Sequence, residues 1–371
     1  MPKKVLTIFG TRPEAIKLAP VIKELEKYPE QIKSFVCVTA QHRSMMDQVL
    51  DLFEIVPDFD LNIMTQGQDL YDITSKVIYK LKAIIKEITP DVVLVQGDTT
   101  TTFVGSLSSF YSKINVGHVE AGLRTFSKYA PFPEEINRRL TSVIADYHFT
   151  PTEKAKNNLI REGIDKNIYV TGNTVIDALL LMVEKVKNKK KEDWDCFNNI
   201  DLSKKIILVT GHRRENFGKG FLSICNALRE LSCRFPNFNF IYPVHLNPNV
   251  KRPVHEILDG LKNVILLDPM DYEPFVYLMN LSYMIISDSG GVQEEAPSLG
   301  KPVLVTRDTT ERPEAVEAGT VKLVGTDKNK IVNETIKLLE DKSYYNQMAF
   351  AHNPYGDGNA AKRIAEILLL I

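Results

Sequence analysis

Cysteine is scarce in this chain. Among 371 residues there are four, Cys37, Cys196, Cys225 and Cys233, and none forms a C-x-x-C pair. A disulfide framework and a structural zinc site are therefore not expected, and a reducing compartment fits. A dominant charge of one sign is missing too. Lys and Arg total 46 against 47 Asp and Glu, a formal net charge of -1, so no global field draws the chain to nucleic acid. No stretch approaches the ~20 apolar residues that a membrane span needs. The apolar run inside Met1–Gly10 is too short for a secretion signal, so the expectation is a cytoplasmic protein without membrane insertion. Two nucleotide fingerprints are absent as well. Neither G-x-G-x-x-G nor a Walker A sequence occurs, which disfavours bound NAD and a P-loop ATPase.

What is present is an ordinary globular composition, 44% hydrophobic and 25% charged. At roughly 150 residues per domain the length predicts two domains. Short apolar runs alternate with helical patterns. Val5–Phe9, Phe35–Thr39, Val92–Val95, Asn115–Val119 and Tyr147–Thr150 read as strands, and Glu14–Lys27 as a helix. Val77, Ile78, Leu81, Ile84, Ile85 and Ile88 form one helical stripe, which Pro90 stops. A charged break spans residues 184–204, including Lys189, Lys190 and Lys191, and reads as a helix end and solvated connection. Six more strands follow: Ile206–Thr210, Phe238–Pro243, Val264–Leu267, Met284–Ser287, Val303–Thr306 and Val321–Val324. The last helix is Ala360–Ile371. This pattern predicts an α/β fold of two doubly wound Rossmann-like domains with an interdomain cleft. The expected boundaries are 1–172 and 173–355, with residues 356–371 packing back on the first domain.

In such folds ligands meet the loops at the carboxyl ends of the strands, and the chemistry-bearing segments fall there. Gly10–Lys17 opens a helix with the cations Arg12 and Lys17. It suits an anion, and it equally suits a structural turn with two solvated cations. Gln96–Thr102 carries Asp98 before four threonines, read most simply as an N-cap and alternatively as a carboxylate facing a ligand. His118–Arg124 carries Glu120, a second carboxylate, whose plain alternative is pairing with Arg124. Its H-x-E matches half of the zinc deaminase signature, but P-C-x-x-C is absent, so zinc is rejected. Pro131–Arg139 begins a helix with Glu134 in its first turn.

In the second half, Gly211–Asn216 places His212 beside Arg213 and Arg214, a group suited to phosphate or to proton donation. Ser289–Ala296 combines Ser289, Gly290 and Gly291 with Glu294 and Glu295. Small residues at a helix start admit a pyrophosphate, and a carboxylate one turn on can accept from ribose hydroxyls. Thr309–Ala315 adds Arg312. A capped Gly-rich turn would read similarly.

Together with Gly172–Asp177 and Pro243–Pro248, these segments stand in the order seen in one family. The chain resembles the non-hydrolysing UDP-N-acetylglucosamine 2-epimerases over essentially its full length. The resemblance implies a two-domain fold like the B-type glycosyltransferases. It also implies interconversion of UDP-GlcNAc and UDP-ManNAc, serving cell-surface polysaccharide synthesis, without metal or redox cofactor. By matching motif it assigns Arg12, Lys17, Asp98, Glu120, Glu134 and His212 to catalysis. Arg12, His212, Phe275, Ser289, Gly290, Gly291, Glu295 and Arg312 are assigned to the UDP site, with Phe275 where the family packs the uracil. Some members bind a second, activating UDP-GlcNAc, so that they are allosteric; Gln41, Arg213 and His245 lie in segments similar to that site. A homodimer is implied as well.

The implied chemistry is physically coherent. The proton on C2 has no neighbouring carbonyl to acidify it. UDP leaves C1, a carboxylate takes the C2 proton, and 2-acetamidoglucal remains until UDP adds back after protonation from the opposite face. Arg12, His212 and the Gly290 turn would stabilise the departing phosphate. The alternatives are a sibling epimerase for another UDP-2-acetamido sugar, a hydrolysing epimerase, a B-fold glycosyltransferase and a non-catalytic sensor.

Overall fold

The computed structural model describes residues 1–39, 43–65, 67–198 and 200–371, with the side chains of 43–45 left aside. Contacts divide it into two compact units, Met1–Ala178 with Tyr355–Ile371, and Leu179–Pro354. The first division falls inside the helix Thr174–Val186.

The first unit holds seven parallel strands: β1 (Lys3–Phe9), β2 (Ile32–Val38), β3 (Phe59–Asp60), β4 (Val92–Gln96), β5 (Asn115–Val119), β6 (Tyr147–Thr150) and β7 (Ile168–Val170). Their order is β3-β2-β1-β4-β5-β6-β7. The sequence reading lacks β3 and β7, which are two- and three-residue edge strands. So short a pairing leaves no apolar run to detect. Central β4 is buried throughout and β1 nearly so, because helices cover both faces and every side chain needs an apolar neighbour. Leu6 pairs with Phe35 on one side and Val93 on the other. The helix Leu70–Ile88 lays Val77, Leu81, Ile84, Ile85 and Ile88 on this core and ends with Thr89 left-handed (φ 50°), one residue before Pro90.

The second unit holds β8 (Lys205–Thr210), β9 (Phe238–Pro243), β10 (Val264–Leu267), β11 (Met284–Ser287), β12 (Val303–Val305) and β13 (Val321–Leu323). All are parallel, in the order β10-β9-β8-β11-β12-β13. Each sheet therefore starts at its centre, winds outward, returns to the centre and winds the other way. That reversal point sits between β1 and β4 in one sheet and between β8 and β11 in the other. It is where a doubly wound sheet opens a crevice. The core of this unit gathers Ile207, Val209, Phe221, Phe240, Tyr242 and Ile286.

The C-terminal helix Ala360–Leu370 belongs to the first unit. The Asp177 carboxylate accepts from the backbone of Ala360 and Ala361 at 3.3 and 2.8 Å. Lys3 Nζ donates to the carbonyls of Leu368 and Ile371 at the other end. These satisfy groups that a helix end leaves open. Among the described residues no helix is long and apolar enough to cross a membrane.

Candidate functional site

In the first unit the site is built on the reversal point of the sheet. Gly10 follows β1, and a Cβ there would lie 2.1 Å from Thr39 Oγ1 and 2.5 Å from Thr101 Oγ1. Only glycine lets the turns after β1, β2 and β4 close together. Thr11 then caps the helix Arg12–Leu25, and Glu14 completes a capping box. The Glu14 carboxylate is buried and takes Gly10 N at 3.0 Å, Thr11 N at 2.7 Å, Thr99 Oγ1 at 2.6 Å and Thr102 Oγ1 at 3.0 Å. Burial raises its pKa, against the pull of these donors. Glu14 thus ties the turn bearing Arg12 to the turn bearing Asp98.

The capping reading of Asp98 is corrected. Thr99 is the N-cap of the helix Thr100–Tyr111, its hydroxyl accepting from Thr102 N. Asp98, one residue earlier, is left outside the cap. Its Oδ2 lies 2.5 Å from Arg138 Nη2, and Asn137 Nδ2 holds its carbonyl at 3.0 Å. Desolvation pushes the Asp98 carboxyl up; Arg138 and Lys17 oppose this, while Glu120 and Glu134 add to it. Asp98 therefore feels the charge of both other carboxylates.

The pairing of Glu120 with Arg124 is also corrected. Arg124 turns to Glu162, 2.8 Å away, and to Ser142. Glu120 stands just past β5 with a left-handed backbone (φ 63°), which carries its carboxylate back over the sheet end. Lys17 Nζ meets both its oxygens at 2.6 and 2.7 Å, Gln96 Nε2 donates to Oε2, and Asn173 Nδ2 donates to Oε1 at 3.1 Å. His118, on β5, is fully buried, with Nε2 2.7 Å from the carbonyl of Gly97. Burial drops its pKa to about 3, so the ring is neutral and Nε2 carries the proton donated to Gly97.

Glu134 opens the helix Glu134–Ile144. Its Oε2 is buried without a hydrogen-bond partner among the described residues. Arg12 is half-buried in the first helical turn and has no ion pair among the described residues. A cation and a carboxylate oxygen thus remain uncommitted beside the paired groups.

In the second unit the reversal point carries cations instead. Asp288, directly after β11, is fully buried and accepts from the backbone of His212 and Arg213, both at 2.9 Å, and from Asn216 Nδ2 at 3.3 Å. The His212 ring places Nδ1 3.3 Å from Asp288 Oδ1 and stacks on His245 at 5.9 Å between centroids. Desolvation lowers the His212 pKa; Asp288 opposes this, and Arg213, His245 and Arg307 reinforce it. Arg307 bridges Glu215 at 2.5 Å and Glu311 at 2.6 Å. Burial alone would raise Glu311, but Arg307 and Arg213 bring it down to about 2.

Ser289 caps the short helix Gly290–Glu295 without a side-chain bond. A Cβ on Gly290 would meet only Arg213 Nη2, at 3.6 Å, so the backbone there is open to a ligand beside a guanidinium. Glu295 accepts from the Tyr272 hydroxyl at 2.8 Å, and Arg312 is paired with Glu294. The two carboxylates of this segment are therefore both engaged. Phe275 is partly buried in the helix Tyr272–Leu281. Gln41 lies outside the described residues.

The structure thus brings Lys17, Asp98, Glu120 and Glu134 together in one unit. In the other it gathers His212, Arg213, His245 and Gly290. Residues not singled out from the sequence are Glu14, Arg138, Asp288 and Arg307. Arg138 lies within Pro131–Arg139, Arg307 lies just before Thr309–Ala315, and Asp288 follows a strand directly. Nothing in their spacing shows which partner each chooses. Among the described residues no group of His, Cys, Asp or Glu side chains could hold a metal ion.

The family model described as UDP-N-acetylglucosamine 2-epimerase matches residues 23–369. The UDP-N-acetylglucosamine 2-epimerase of Escherichia coli K12 is 60% identical over 369 residues, covering 98% of either chain. The crystal structure of UDP-GlcNAc 2-epimerase from Neisseria meningitidis bound to UDP-GlcNAc superposes with a TM-score of 0.89. It is 57% identical, over 99% of this chain and 100% of that one. The Methanocaldococcus jannaschii enzyme in complex with UDP-GlcNAc and UDP gives a TM-score of 0.80 at 37% identity, over 99% and 100%. With model, sequences and structures agreeing over nearly every residue, this chain belongs to the UDP-N-acetylglucosamine 2-epimerase family.

Proposed function

We propose that the chain interconverts UDP-GlcNAc and UDP-ManNAc by eliminating UDP and adding it back. The observation that carries the reading is the group of three carboxylates in which Asp98 interacts with both Glu120 and Glu134, set with Lys17 and Arg138 at the reversal point of the first sheet. Inversion at C2 needs a proton removed from one face and delivered to the other. The C1–O bond breaks with its electrons going to UDP, the C2 proton passes to a carboxylate, and the C1–C2 double bond of 2-acetamidoglucal forms. A second acid then gives C2 a proton from the opposite face, and a phosphate oxygen of UDP rejoins C1.

Two of the three carboxylates are best suited to these transfers. Burial favours the protonated form of Asp98, as a donor requires. Glu134 has an oxygen that no described group claims, as a base requires. Glu120, held by Lys17, Gln96 and Asn173, supplies fixed negative charge near the cation that develops at C1. Arg12 is the uncommitted cation for phosphate in that unit. In the second unit His212, Ser289, Gly290, Gly291, Glu295 and Arg312 receive UDP, with Phe275 against the uracil.

Proton NMR of the protein with UDP-GlcNAc in D2O tests the reading. UDP-ManNAc appearing with deuterium at C2 in both epimers is the expected result. Free ManNAc with UDP would replace it by the hydrolysing reaction, and an unchanged spectrum would overturn it.

The reading extends to three further properties. A second UDP-GlcNAc at Arg213 and His245 would make the rate sigmoidal in substrate. A homodimer is supported by exposed Tyr79, Phe110, Tyr111 and Val143 on three helices that pack side by side in the first unit; sedimentation would give its mass. Cytoplasmic residence is supported by free, buried Cys37 and Cys225.

A further inference from the structure

We propose that Asp288 is a positioning residue that fixes the tautomer of His212, holding Nδ1 protonated and inward so that Nε2 is the atom left for the substrate. The proposal rests on the reading of His212 as a group that meets UDP or a transferred proton.

The geometry is that of a buried carboxylate dedicated to one loop. Asp288 is fully buried at the end of β11, at the reversal point of the second sheet. Its Oδ2 gathers the backbone of His212 and Arg213 and the Asn216 amide. Its Oδ1 accepts from His212 N at 3.1 Å and faces Nδ1 at 3.3 Å. This is a charge contact, and because a carboxylate only accepts, it favours the proton on Nδ1, the nitrogen turned toward it. The neutral ring then presents a bare Nε2, able to take a proton, and the protonated ring presents Nε2–H, able to give one. The His212 side chain is 42% exposed, so the outer edge of the ring remains accessible.

The surroundings make Asp288 the deciding charge. From its own loop His212 faces Arg213, from the loop after β9 it faces His245, and from the end of β12 it faces Arg307. These three groups and burial all oppose a charge on the ring, and among the described residues acting on it Asp288 favours one.

The substitution Asp288→Asn separates orientation from folding. With its carbonyl oxygen on the Oδ2 side, asparagine still accepts from His212 N, Arg213 N and Asn216. Its NH2 then faces Nδ1, which must accept, and the ring proton moves to Nε2. The experiment uses the full chain labelled with 15N-histidine, with His212 assigned by the signal lost in His212→Gln. The wild type is expected to show Nδ1 protonated and Nε2 bare above its titration. Asp288→Asn is expected to show the opposite tautomer and a titration moved to lower pH. Its kcat should fall on the order of 10²-fold or more, with KM and UDP affinity within about threefold. Wild-type His212 protonated at Nε2 would overturn the proposal. So would a folded Asp288→Asn with kcat within about threefold of wild type. Should that variant fail to fold, the wild-type spectrum alone decides. A chain with the expected tautomer but no epimerisation of UDP-GlcNAc would sink the functional reading and leave the role of Asp288 standing.

Discussion

The two sheets share one strand order and differ in what their reversal points carry. In the first unit the turns after β4 and β5 hold the carboxylates Asp98 and Glu120, paired with the cations Arg138 and Lys17. In the second the turns after β8 and β12 hold arginines and histidine, braced by Asp288, Glu215 and Glu311. The strand order and the position of these turns are alike in both, so the backbone supplies only the place. On the proposed reading the sign of the side chains divides the labour: proton transfer falls to the carboxylates of the first unit, and phosphate to the second unit together with Arg12.

The sharpest break of that comparison is chemical. Asp98→Asn and Glu134→Gln are expected to lower kcat by about 10²–10⁴-fold with UDP binding nearly unchanged. Phe275→Ala is expected to do the reverse, weakening UDP by about 1–3 kcal/mol, the usual worth of an aromatic–base stack, at little cost in kcat. Steady-state kinetics and UDP calorimetry read both. Equal losses of kcat in all three would erase the division.

Acid is the next lever. His118 and His148 are buried neutral on adjacent strands of the first unit, with pKa values lowered by burial to about 3 and about 4. Unfolded, each titrates near 6.5, so the unfolded chain binds their protons first. Their contribution is whole above that pH and is lost as pH falls toward the folded values. At pH 5 this amounts to about 2 kcal/mol per histidine. Trp194, the chain's single tryptophan, lies in the second unit against Tyr277. Amide exchange in β5 and β6 should therefore rise on acidification before Trp194 fluorescence changes. Simultaneous change would mean that the units do not differ in acid stability.

Smaller effects concern the turns. Gly10→Ala forces a Cβ into Thr39 and Thr101 and should cost about 1–3 kcal/mol in denaturant titrations. Thr99→Ala removes a working cap and should cost about 1 kcal/mol, whereas Ser289→Ala removes none and should leave Tm unchanged. A fall in Tm for Ser289→Ala would show that the second turn is built like the first.

Much of this was legible in the sequence. Apolar runs such as Val92–Val95 and Ile206–Thr210 declare buried parallel strands, because covering both faces removes the polar alternation. Pro90 and the stripe Val77–Ile88 mark the end of one helix to within a residue, while its start at Leu70 lies ahead of the stripe. The candidate site segments stand where strands end. β3 and β7 were not legible, since their existence depends on a neighbour's edge rather than on their own composition.

The sequence by itself determined the α/β alternation, the turn segments and the family pattern, all of which are local in the chain. Only the tertiary structure decided the pairings. Thr99 rather than Asp98 caps the helix, Glu120 chooses Lys17 103 residues away over Arg124, and Asp288 holds a histidine 76 residues before it. A charge declares that a partner is needed; distance and burial, which the folded chain alone fixes, choose which one.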